Sequence, residues 1–151
     1  HINFDLDLAK ERSVKNPVYY IQYAHARMAS IFRKAKSAPH TELCFDDGKL
    51  GSGRGKNLGL NLLNTREDLA LIKKLIQFPE VIEDAARDYR IHRLTRYSYE
   101  LARAFHNFYE NRRVISEDKE LMRARLALVR AAETVLKNTL ELLGISAPQK
   151  M

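Results

Sequence analysis

Between Asp118 and Leu143 two apolar series run side by side, each repeating every seven residues. Leu121, Leu128, Val135 and Leu142 form one series, and Met122, Val129, Leu136 and Leu143 form the other, with Ala132 between them. Only an α-helix lines up residues at that interval, and two adjacent series make a stripe wide enough to face a bundle core. The spacing predicts a helix that Gly144 ends, with Pro148 shortly after it. Arg123, Arg130 and Lys137 recur every seven residues on the far side.

The rest of the chain repeats the theme. Asn16-Pro17 reads as a helix start, because Asn caps free amides and Pro fits the first helical position. Ile21, His25, Met28 and Phe32 then make a buried face, and the helix should run to about Lys36. His25 reads there as a core histidine with a satisfied hydrogen bond. Thr65 with Asp68 forms a capping box in which Asp replaces the usual Glu. Leu69, Ile72 and Ile76 mark the helix after it. Phe78-Pro79 interrupts, and Ile82, Ala85 and Ala86 should face inward beyond. Leu94, Leu101, Phe105 and Phe108 define a helix over 91–113. No long β-branched alternation occurs, so the expected fold class is all-α, a helical bundle. Ile2, Phe4, Leu6 and Leu8 alternate with polar residues, which fits a short strand or a lead-in to a helix.

Five of the six glycines lie between Gly48 and Gly59, so residues 37–58 are expected to be a flexible Gly-rich loop. Gly51-Ser52-Gly53-Arg54-Gly55-Lys56-Asn57 fails as a phosphate loop, since Leu50 stands at the first glycine position and Asn57 follows the lysine. The one cysteine, Cys44, excludes an internal disulfide and a cysteine zinc cluster, and it reads as a poor nucleophile. No His-Glu-x-x-His helix or calcium loop occurs, so no metal site is expected. No apolar run is long enough to span a membrane, and no signal peptide is visible. A lone thiol fits a cytoplasmic setting. A start without Met suggests a piece of something longer.

The net charge is +7, and residues 1–60 and 85–113 each carry +4 of it. A basic domain attracts polyanions, nucleic acid foremost. On the helix over 91–113, Arg96, Tyr99, Arg103, His106, Glu110 and Arg113 form one stripe. Cations mixed with aromatic rings suit a nucleic-acid backbone with bases to stack. A solvated face, with Arg103 and His106 near Glu110, accounts for the same spacing.

The run Asn16-Pro17-Val18-Tyr19-Tyr20-Ile21-Gln22-Tyr23-Ala24-His25-Ala26-Arg27 resembles the arginyl-tRNA synthetase family. Phe4-Asp5-Leu6-Asp7-Leu8-Ala9 resembles the segment before that helix. Phe78-Pro79-Glu80-Val81, Tyr99-Glu100-Leu101-Ala102, and Leu142-Leu143-Gly144-Ile145 through Met151 resemble its anticodon-binding bundle. The resemblance implies a bundle often named after an Asp-Ala-Leu-Arg (DALR) signature, with residues 1–15 as lead-in from the catalytic region. Residues 16–36 would be the first bundle helix, and 59–151 the DALR-type bundle. The implied parent joins arginine to tRNA using ATP and magnesium. Its His-x-Gly-His and Lys-Met-Ser-Lys-Ser-like signatures are absent here, so this chain alone should be inactive, with no cofactor of its own. Implied partners are arginine tRNA and the catalytic domain of the same chain, in a monomeric enzyme.

Carried over by position, Tyr23, Arg27, Tyr109 and Met151 would meet anticodon-loop nucleotides. Tyr109 also fits as a core aromatic beside Phe105. Arg96, Arg103, Arg113, Arg123, Arg130 and Lys137 are candidate backbone contacts from the basic stripes. Ile91 stands where the family often has Pro, which would let that helix start earlier, and residues 124–127 lack a literal Asp-Ala-Leu-Arg. A protein-interaction bundle without an RNA role is the competing reading, and a complete small enzyme is a third.

Overall fold

A computed structural model describes residues 5–13, 15–36 and 59–151. The helices are α1 (Leu6–Lys10), α2 (Pro17–Lys36), α3 (Arg66–Ile76), α4 (Phe78–Asp88), α5 (His92–Asn111) and α6 (Lys119–Leu142). A single 3-10 turn, Leu60–Leu62, precedes α3. No strand occurs among the described residues, so the fold is all-α. Leu6 to Lys10 is helical, which decides the lead-in for its described part. Residues 1–4, the Gly-rich loop and Cys44 lie outside the described residues.

The helix boundaries follow from local chemistry. Asn16 Oδ1 accepts from the Val18 amide at 3.0 Å, and Pro17 opens α2. At α3 the reciprocal pair is complete: the Asp68 amide donates to Thr65 Oγ1 at 3.3 Å, and the Thr65 amide donates to Asp68 Oδ2 at 3.2 Å. Asp118 caps α6 by accepting from the Glu120 and Leu121 amides. Tyr89 ends α4 with φ of 55°, an unusual value for a residue with a Cβ. The expected early start of the next helix is not seen, and Ile91 is its flanking residue.

α5 is the central helix and packs against α2, α3, α4 and α6, while α2 also lies on α6. Their shared core is built from Met28, Leu71, Leu101, Phe105, Phe108, Leu126, Val129, Leu136 and Leu140, all fully buried. The faces expected for α2 and α5 are the buried ones.

Four expectations need correction. Leu69 is 44% exposed and Ile76 70% exposed, while Leu71 is buried with Ile72 and Leu75 packed beside it. The phase of α3 is set by Asp68, which is buried and faces Arg125 of α6. On α4, Phe78 and Val81 pack on the core and Ala86 is exposed. α5 stops at Asn111 and the backbone is extended at Arg112, so Arg113 leaves the stripe. Finally, Leu142 is 58% exposed, and Thr139 and Leu140 take the inward positions. A straight helix drifts about 20° per heptad against a seven-residue repeat, so the last member of a series rotates off the core.

Candidate nucleic-acid interface

Tyr20, Tyr23 and Arg27 are three and four residues apart on α2, so they share one side of it. Packing of α2 on α5 brings that side against Tyr99, His106 and Tyr109, themselves spaced seven and three. The rings form a ladder along the seam. Tyr20 lies 5.2 Å from Tyr99 and 4.8 Å from His106 between ring centres. Tyr23 stacks on His106 at 5.8 Å with 17° between the planes. Arg27 closes the ladder: its Nη2 donates to the Tyr109 hydroxyl at 2.9 Å, with Cζ 4.7 Å from the ring centre. Tyr109 in turn stacks on Phe105 at 6.0 Å. Tyr109 therefore leans its ring on the core beside Phe105 and carries its hydroxyl to the seam.

Burial sets the electrostatics. The His106 imidazole is pushed below its ordinary range by loss of solvent; Glu110 acts in the opposite sense and Arg27 reinforces the shift. Its Nε2 is buried with no hydrogen-bond partner. The Tyr20 phenol is raised, first by burial and then by Tyr99 and Glu110. Both rings are thus uncharged at neutral pH. Tyr23, Tyr99 and Arg103 stay exposed along the outer edge of the ladder. The surface offers flat uncharged rings flanked by two guanidinium groups, a combination that can stack bases and hold phosphate.

Met151 is placed on the neighbouring side of α2. It lines a cleft of about 590 Å³ with Lys10, Arg12, Asn16, Tyr19 and Gln22. The structure brings Tyr23, Arg27 and Tyr109 together, and sets Met151 beside the adjacent turn of the same helix.

The basic series divide. Arg96 pairs with Glu100 at 2.9 Å, and Glu100 also takes Lys74 at 2.7 Å. Lys74 first, then Arg96, holds the Glu100 carboxyl below the usual range. Arg130 lies over the Phe32 ring at 3.9 Å and pairs with Glu133 at 2.6 Å, so it helps to join α6 to α2. Lys137 pairs loosely with Glu141 at 3.6 Å. Arg103, Arg113 and Arg123 point outward as exposed residues.

Sequence reasoning left Tyr20 outside the site, although it sits three residues before Tyr23 and seven before Arg27. His106 was legible only as a member of the stripe; its stacking on Tyr23 needed the helix pairing. His25 is buried and its Nδ1 bonds the Pro148 carbonyl at 2.8 Å, as a satisfied core histidine should, but its Nε2 has no partner.

Residues 21–151 match the DALR anticodon binding domain. An arginine–tRNA ligase from Geobacter metallireducens is 50% identical over 148 residues, covering 98% of this chain and 25% of the relative. One from Geotalea daltonii is 47% identical with the same coverage. Among solved structures, the Thermus thermophilus arginyl-tRNA synthetase superposes with a TM-score of 0.69 at 31% identity, covering 99% of this chain and 24% of that one. The chain thus spans about a quarter of the length of the curated relatives it matches.

Proposed function

The chain belongs to the DALR anticodon binding domain family, and from that premise we propose that its α2–α5 seam receives the anticodon loop of arginine tRNA. The observation that carries this reading is the meeting of Tyr23 and Arg27 from α2 with His106 and Tyr109 from α5. Unstacked loop bases find ring faces there, and the guanidinium is already oriented by the Tyr109 hydroxyl. Arg103 and the half-buried Arg27 supply cations for the phosphates, with Met151 as a soft contact on the next turn. A bundle that bound only proteins would have no need for this mixture of rings and cations.

In this reading the chain selects and positions the tRNA within a cytoplasmic, monomeric arginine–tRNA ligase. The joining of arginine to tRNA, with its ATP and magnesium, belongs to the remainder of that enzyme, which is the other partner of this chain.

The test is binding of the chain to an arginine tRNA and to the same tRNA with an altered anticodon, at two salt concentrations. Tighter binding to the natural anticodon at both salts is expected. Equal and strongly salt-dependent binding would reduce the role to holding a polyanion. No binding at low salt would favour the protein-interaction bundle.

A further inference from the structure

The residues after α6 have no regular secondary structure, yet they are tied down. The chain reverses at Gly144, where φ is 70°. The Ile145 amide donates to the Leu140 carbonyl at 2.9 Å and closes the turn. The segment then runs along α2, and three side chains of that helix capture its backbone carbonyls. Gln22 Nε2 donates to the Ser146 carbonyl at 3.0 Å. His25 Nδ1 meets the Pro148 carbonyl at 2.8 Å. Arg33 Nη1 donates to the Gln149 carbonyl at 2.9 Å. A carbonyl can only accept, so His25 carries its hydrogen on Nδ1. Gln22 and Arg33 compete with water for their bonds, whereas His25 is 1% exposed and does not.

We propose that His25 is a positioning residue for Met151. Three residues beyond Pro148 span at most about 10 Å, so an anchor at the Pro148 carbonyl confines Met151 to the cleft beside Tyr19 and Gln22. Without it the segment keeps only the two tethers that compete with water, from Gln22 and Arg33, and Met151 loses its fixed place at the RNA surface. His25 itself, buried under the segment, touches no RNA. The proposal rests on the anticodon-loop reading for its consequence, and on the three hydrogen bonds for its mechanism.

Two measurements on the whole chain test it. In amide hydrogen exchange, His25→Leu should remove the protection of the Ile145 amide, the one bonded amide of the segment, while α6 stays protected. His25→Asn, whose amide can reach the same carbonyl, should restore it. In tRNA binding, His25→Leu and Met151→Ala should each weaken affinity by at least about fivefold, the loss of one base contact. The double variant should be no weaker than the worse single one, because a displaced Met151 has nothing left to lose. Unchanged exchange in His25→Leu overturns the anchor. Losses that multiply in the double variant overturn the route through Met151, since a merely structural histidine would act independently of it. If the wild-type chain binds no tRNA, the anticodon reading falls first, and the consequence for Met151 falls with it.

Discussion

The Arg27 guanidinium lies 4.7 Å from the centre of the Tyr109 ring and donates to its hydroxyl at 2.9 Å, joining residues 82 positions apart. The contact fixes a flexible cation on the edge of an aromatic ladder, so the cation is ordered before any ligand arrives.

Tyr109 can therefore be dissected. Tyr109→Phe keeps the ring on Phe105 and removes only the bond to Arg27, so stability should fall by about 0.5–1.5 kcal/mol. Tyr109→Ala also removes the ring and should weaken tRNA binding by about 1–3 kcal/mol, the usual value for one stacked base. Urea unfolding and fluorescence titration separate the two effects. Unchanged affinity in a folded Tyr109→Ala chain would return the residue to the core alone.

His106 makes stability depend on pH. Its pKa in the folded chain is depressed, mainly by burial. Acidification below about 6.5, the ordinary imidazole value, then adds a proton to the unfolded chain that the folded chain resists. Its contribution is thus fully present above that pH and is lost as pH falls toward the depressed value. His106→Gln should flatten this part of the profile. Urea midpoints of both proteins on either side of about pH 6.5 check it; parallel profiles would show that the ring is not the titrating group.

Asp68 should be costly to remove. It is fully buried, caps α3 through Thr65, and sits 3.8 Å from Arg125 Nε. Arg125 also donates to the Arg113 carbonyl at 2.8 Å, so the pair ties α3 and α6 to the link after α5. Asp68→Ala strands a buried guanidinium and should cost about 3–5 kcal/mol. Asp68→Asn keeps a capping oxygen and should cost less. Equal urea midpoints for wild type and Asp68→Ala would refute this role.

The two kinds of basic residue should behave differently. Arg103→Ala should weaken binding to any tRNA sequence and reduce the salt slope by about 1. Arg130→Ala should leave the slope unchanged and lower stability by about 1–2 kcal/mol, because its guanidinium lies on Phe32 and pairs with Glu133. Equal slopes for Arg103→Ala and wild type would make Arg103 a solvated charge.

The sequence alone determined the helical class, the ends of α2 and α6, and the Thr65–Asp68 cap. These depend on interactions within a few residues, where periodicity and capping chemistry act. The family resemblance named Tyr23, Arg27, Tyr109 and Met151, and the structure sets the first three in one seam. Tertiary structure alone decided the phase of α3, which turns Leu71 inward and leaves Leu69 out, because a buried Asp68 answers Arg125 from a helix 57 positions away. It also decided that Arg130 packs while Arg103 stays in solvent, and that His25 grips Pro148. A repeat along one helix records which residues share a side; it carries no record of which neighbour will lie against that side. That choice belongs to the packing of α2, α5 and α6 together, where burial of one face is weighed against every other.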